Sequence, residues 1–257
     1  MKIQSFTAGT PCWLDLMTPD PDAASSFYEA LFGWDIFVGT EETGGYRMCQ
    51  LGDDAIAGIV GMPMPDLPPA WRPYIKVDDA AATIAGVQGA GGEVLFNPSQ
   101  VMELGIMGVF ADPQGAILGI WQPLEFQGAG LVAEPGAYIW SELVTSDLDA
   151  AGSFYASVFD WVATPTTGGA PDYAELSSDG ASIAGMMPRP EMLPAEVPNY
   201  WGVYFVTASM TTALATVADK GGQLILDCTE IPMGSIAIVT DPTGAMFGLL
   251  EPSDLPA

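Results

Sequence analysis

The chain repeats itself. GTPCWLDLMTPDPDAASSFYEALFGWDI at 9–36 returns 127 residues later as GAYIWSELVTSDLDAAGSFYASVFDWVA at 136–163. The offset recurs with small slips in AIAGIVGMP (55–63) against SIAGMMPRP (182–190), and in FADPQGAILGIWQP (110–123) against VTDPTGAMFGLLEP (239–252). Agreement spread over both halves of 257 residues means one small fold used twice, so any architecture must divide near the middle. The Gly- and Ala-rich segment 127–136, with Gly128 and Pro135, reads as a linker between a first domain at 1–126 and a second at 137–257.

Each half divides again. Alternating apolar residues predict a strand at Cys12–Met17, then a helix over Asp22–Phe32 and strands near 34–38, 45–51 and 55–62. The order repeats with a strand at 73–77, a helix over about 79–89, a Gly-Gly break, and strands near 92–96, 106–111 and 116–122. Asp-Pro-x-Gly at 112–115 and 241–244 suits a tight turn between the last two strands of each half. The chain is thus an α+β protein of four βαβββ units. A single unit has an apolar sheet face that it cannot cover, so paired units should form a curved, cup-like sheet with helices outside.

Composition removes several functions. There is no histidine, so Ser-His-Asp and Cys-His catalysis and histidine-ligated metal sites are excluded. Six basic residues against 32 acidic give a net charge of −26, which repels nucleic acid and anionic lipid and would attract a cationic small molecule. A solvated acidic surface explains the same charge. Cys12, Cys49 and Cys228 show no CxxC spacing and read as buried thiols, with Cys49 placed for packing. No apolar run approaches the ~20 residues of a membrane span, and MKIQSFTAGTPCW lacks a signal-peptide plan, so the expected location is cytoplasmic.

The βαβββ units, the Asp-led helices ending in Phe27-Tyr28 and Phe154-Tyr155, and the final DPxG strand resemble the vicinal oxygen chelate superfamily of glyoxalases, bleomycin-resistance proteins and dioxygenases. GTPxW and IWxEL are similar to tandem glyoxalase-like proteins of actinobacterial type. The resemblance implies two cup-shaped glyoxalase-like domains in tandem, related by a pseudo-twofold axis within a monomer. It also implies metal-ligand positions, and these fall on residues that do not bind metal. The first-strand histidine position falls on Trp13 and Trp140, the second on Arg72 and Gly202, and the glutamate position on Gly119 and Gly248. No metal and no other cofactor is therefore expected.

Within strand Cys12–Met17, alternation puts Trp13 and Asp15 on the cup face and Leu14 and Leu16 under the helices, with Trp140 and Glu142 equivalent in the second half. An aromatic beside a carboxylate suits a flat or cationic ligand; tryptophans plugging space left by a lost metal explain the pattern as well. Arg72, Tyr74 and Lys76 share a face, which gives Asp15 an expected ion-pair partner in Arg72. Glu142 meets Gly202, Tyr204 and Val206 instead, so its pKa should be raised. Met186, Met187, Met192 and Met233, with Tyr173, Tyr200 and Trp201, are expected around the second cup's rim, or in the core. The Pro-rich stretches 62–71 and 187–201 read as connections able to act as lids.

Three functions remain open. The first is metal-independent binding of an apolar or aromatic small molecule, cationic ones included, as in a sequestering or self-resistance protein. Its candidate ligand contacts are Trp13, Arg72, Tyr74, Trp140, Tyr173, Met186, Trp201 and Tyr204. The second is a metal-free isomerase, cyclase or lyase of secondary metabolism, with Glu142 or Asp15 as general acid/base. The third is a structural or interaction protein with filled cups. The asymmetry between Arg72 and Gly202 favours the second cup as the working one.

Overall fold

In a computed structural model, residues 1–62, 68–166, 172–191, 193 and 197–253 are described. Met192 and parts of both Pro-rich stretches lie outside them, and so does the expectation that these stretches form lids.

The first half runs β1 (Pro11–Thr18), α1 (Pro21–Phe32), β2 (Asp35–Val38), β3 (Arg47–Leu51), β4 (Asp54–Gly61), β5 (Ala70–Lys76), α2 (Ala80–Gly89), β6 (Glu93–Val101), β7 (Gly105–Ala111) and β8 (Ile117–Pro123). The second half repeats it as β9 (Tyr138–Thr145), α3 (Leu148–Phe159), β10 (Val162–Pro165), β11 (Ala174–Ser178), β12 (Ala181–Pro188), β13 (Tyr200–Val206), α4 (Met210–Asp219), β14 (Gln223–Ile231), β15 (Gly234–Thr240) and β16 (Met246–Pro252). Each helix begins on a side-chain cap: Asp20, Asp79, Asp147 and Ser209 accept from the backbone N–H three residues on. Helix α1 stops at Gly33 in the left-handed conformation, and Asp160 does the same for α3.

Two eight-stranded mixed sheets result, in the orders β2-β3-β4-β1-β5-β8-β7-β6 and β10-β11-β12-β9-β13-β16-β15-β14. Each is built from one half, so each cup forms within a half rather than across the two. At the centre of each sheet β1 pairs antiparallel with β5, and β9 with β13. The Asp-Pro-x-Gly turns lie where expected, with Gly115 and Gly244 at positive φ and Asp112 and Asp241 accepting the N–H of the residue four on.

The cores are shared between the halves. Leu14, Leu16, Phe27 and Trp34 of the first half are buried together with Phe205, Val217 and Phe247 of the second. In the reciprocal cluster, Ile84 and Phe110 pack with Phe154, Tyr155, Trp161 and Trp201. The helices therefore lie between the sheets, α1 beside α4 and α2 beside α3. Tyr28 and Tyr155 join the halves through polar contacts within these cores. Tyr155 donates to Asp112 at 3.0 Å and accepts from Trp201 Nε1 at 2.9 Å; Tyr28 donates to Asp241 at 3.3 Å and accepts from Trp71 Nε1 at 2.9 Å. This explains the duplicated Phe-Tyr: phenylalanine fills the core while tyrosine reaches the turn of the other half.

The 127–136 segment is tied down rather than loose. Ala129 N–H donates to Cys12 O, Gly130 N–H to Ala55 O, and Gly136 O accepts from Trp34 Nε1. Cys12 and Cys49 are buried as expected, whereas Cys228, on the edge strand β14, is exposed.

Candidate functional site

The faces turned away from the helices carry the same four residue positions in each half. In the second, Trp140 and Glu142 stand on β9, Tyr204 on β13 and Tyr173 just before β11. Tyr204 donates to Glu142 Oε2 at 2.9 Å, and Trp140 Nε1 donates to the Tyr173 hydroxyl at 3.1 Å. The Tyr173 hydroxyl lies beside the same carboxyl. Burial pushes the Glu142 pKa above its ordinary value, and the two tyrosine hydroxyls pull it part of the way back. Both tyrosines are held well above the usual phenol range, first by burial and then by the neighbouring carboxyl, and so stay protonated donors.

In the first half the set is Trp13, Asp15, Tyr74 and Tyr46. Tyr46 donates to Asp15 Oδ1 at 2.5 Å, and Trp13 Nε1 reaches Asp15 Oδ1 at 3.0 Å and the Tyr46 hydroxyl at 2.9 Å. Burial raises the Asp15 pKa, opposed by hydrogen bonds from Tyr46, Tyr74 and Trp13 and by the Arg72 charge. The expected Asp15–Arg72 ion pair does not form among the described residues. The two are directly opposed in the β1–β5 register, but the carboxylate is taken by Trp13 and Tyr46, and the Arg72 charge acts on Tyr74. Tyr46 was not singled out in the sequence, although the 127-residue offset carries Tyr173 onto it.

The halves differ in what lies above these sets. In the first, Trp121 and Phe126 close over Trp13, with the Phe126 ring edge-on to Trp13 at 4.8 Å, and Met48, Leu104 and Met107 pack around them. Trp121 is fixed by its Nε1 bond to Phe126 O and lies over Gly105, where a Cβ would stand 2.3 Å from its ring. Leu250 takes the place of Trp121 in the second half. There a cavity of about 410 Å³ opens over Glu142, walled by Val144, Met187, Ile236, Ile238, Met246 and Leu250. Trp140, Tyr173, Tyr200 and Tyr204 surround its floor, and Met233 stands exposed at its edge.

Two expected ligand contacts face the wrong way. Trp201 is 5% exposed and Met186 3%, both in the core shared with the first half. Strand alternation is the reason: Tyr200, Gly202 and Tyr204 of β13 face the cavity, which turns Trp201 to the helices, and Met187 faces it from β12 while Met186 does not. Trp13, Arg72 and Tyr74 belong to the filled first cup. The wall from β15 and β16 was not anticipated, although Met246 and Leu250 lie two residues either side of Gly248 and so share its face.

The residues present do not fit the family's divalent metal. Beyond the loss of ligands at Trp13, Trp140, Arg72 and Gly202, tyrosine rings occupy the space of the glutamate positions. A Cβ on Gly119 would lie 2.3 Å from Tyr74 Cδ1, and one on Gly248 2.1 Å from Tyr204 Cδ1. Each cup keeps one central carboxylate, and among the described residues no three His, Cys, Asp or Glu side chains converge.

This arrangement of paired units in two sheets is that of a superfamily, and the sequence agrees. Residues 10–120 and 137–249 each match the Glyoxalase/Bleomycin resistance protein/Dioxygenase superfamily, to which the chain belongs. CFP32 of Mycobacterium bovis, a glyoxylase by name, is 38% identical over 98% of this chain and 98% of its own length. The anthracycline biosynthesis protein DnrV of Streptomyces peucetius is 32% identical over 96% of this chain and 94% of its own. Among solved structures, the Mn(II)-bound glyoxalase of Novosphingobium aromaticivorans superposes with a TM-score of 0.67 at 16% identity, covering 97% of this chain and 85% of that one. That likeness concerns the fold alone. No helix among the described residues is long and apolar enough to cross a membrane.

Proposed function

We propose that the second cup binds one apolar or aromatic small molecule per chain without a metal ion. The observation that carries this reading is the cavity of about 410 Å³ with hydrophobic walls and, among the described residues, a single carboxyl at its floor. That volume falls in the usual range of small-molecule sites, about 300–1,000 Å³, and a few polar groups on an apolar lining is their usual composition. The kinship with DnrV and with DauV of a Streptomyces species, both anthracycline biosynthesis proteins, supports a role in secondary metabolism. The first cup, filled by its own Trp121 and Phe126, serves as structure.

The test copies the closed cup into the open one. Leu250→Trp places indole where the first half has Trp121, and should abolish binding of a fluorescent apolar aromatic probe that the wild type takes up at one per chain. Unchanged uptake by a folded Leu250→Trp protein contradicts the assignment.

One observation favours catalysis in the same cup: Glu142 lines the cavity, holds a raised pKa, and has a protonated tyrosine on Oε2. A carboxyl so placed can take a proton from a bound ligand and return it at another atom, as a metal-free isomerase or cyclase requires. Deuterium entering the carbon skeleton of a co-purified ligand in D₂O, dependent on Glu142, would distinguish catalysis from sequestration.

A further inference from the structure

The two halves treat their buried carboxylate differently, and the difference concerns charge. Asp15 is paired across β1–β5 with Arg72; burial raises its pKa, and the Arg72 charge is the least of the influences that oppose the rise. Glu142 is paired across β9–β13 with Gly202, in the same register. The chain has six basic residues. Lys2, Arg47, Lys76 and Lys220 pair with Asp54, Asp22, Asp78 and Asp219, and the Arg189 guanidinium donates to Val197 O. No lysine or arginine is among the described residues lining the second cavity; the Arg189 charge reaches Tyr200 at its edge, and the side chains beside the Glu142 carboxyl are the neutral Trp140, Tyr173 and Tyr204. Space for a cation exists: the nearest atoms to a Cβ built on Gly202 are 3.7 Å away, and Gly202 itself lines the cavity. Thus the closed cup carries an arginine in register with its carboxylate, without a direct ion pair, while the open cup has glycine at the equivalent position.

Resting on the binding role of the second cup, we propose that its ligand is an amphiphilic monoamine, whose protonated nitrogen sits beside Gly202 on the Glu142 carboxylate while its apolar body fills the hydrophobic walls. Trp140, Tyr173, Tyr200 and Tyr204 ring that position, and aromatic rings around a carboxylate favour an ammonium over a neutral group. The protein's net charge of −26 raises the local concentration of such a ligand. A buried carboxyl also becomes costly to leave unpaired once ionised, which makes the ammonium preferable to a neutral hydroxyl of the same shape.

The experiment compares 1-naphthylmethylamine with 1-naphthylmethanol, of equal size and differing in charge, by calorimetric titration of the full chain. The amine is expected to bind the wild type at least about tenfold more tightly, and Glu142→Gln should bring the two within about threefold of each other. Equal binding of both, or preference for the alcohol, overturns the monoamine assignment and leaves the apolar binding role standing. An amine preference that survives Glu142→Gln overturns the role of Glu142. Binding of neither probe to the wild type counts against both the cup as a binding site and this inference. The wild-type comparison decides the matter even where the variant does not fold.

Discussion

Glu142 and Asp15 occupy equivalent strand positions, and each accepts from a tyrosine hydroxyl, Glu142 from Tyr204 on the neighbouring β13 and Asp15 from Tyr46 just before β3. The physical consequence of burying Glu142 without a cation is a pH dependence of stability with a definite sign. Its folded-state pKa lies above the ordinary 4.5, so the protonated carboxyl favours the fold below that value, and the contribution is lost as pH rises through the folded pKa. Glu142→Gln removes the cost of ionising a buried acid. The variant should therefore gain stability relative to wild type as pH is raised from about 4 to about 8. Thermal melts across that range check it, and a pH-independent difference would contradict it. Alternation along one strand was enough to put Trp140 and Glu142 on the cup face from sequence. The same rule, counted back from Tyr204, would have turned Trp201 to the core, and strand alternation likewise separates Met186 from Met187. What no single-strand pattern could reveal was Trp121 and Phe126 closing the first cup. That depends on residues from β8 and the segment after it meeting Trp13, 108 positions earlier than Trp121.

At the scale of elements, the duplicated helices were legible because each announces itself with a capping side chain and an apolar face. Their partners were not. Nothing in α1 alone says that it packs beside α4, because helix pairing across the halves is set by how two whole sheets stack. The contacts that fix this pairing are the Trp-Tyr-Asp chains. Tyr155→Phe keeps the ring but strips Asp112 Oδ2 of its donor and Trp201 Nε1 of its acceptor, both buried. The expected loss is about 1–3 kcal/mol, measured by denaturant unfolding. An unchanged unfolding midpoint would show that the latch contributes nothing. Within the second sheet, the Tyr204 ring over Gly248 couples β13 to β16 and gives a steric reason for glycine at the expected glutamate position.

For the whole molecule, duplication has produced two sheets that are separate in hydrogen bonding and joined in packing. Each major core cluster takes residues from both halves, so neither half buries its helices alone. The fragments 1–126 and 137–257, made separately, should show no cooperative thermal transition, while the full chain melts in one step. Cooperative folding of either fragment would refute the shared-core description. Sharing the core also frees the two cups to diverge, since neither cup face is needed to hold the halves together. One has been filled with Trp121 and Phe126; the other keeps Leu250 and a cavity over Glu142. The central claim is that this second cup is a single metal-free ligand site. Native mass spectrometry of the purified full chain tests it most directly. The mass should show one small molecule per chain, absent from Leu250→Trp, and no stoichiometric metal; bound iron, manganese or zinc at one per cup, or two ligands per chain, would contradict it.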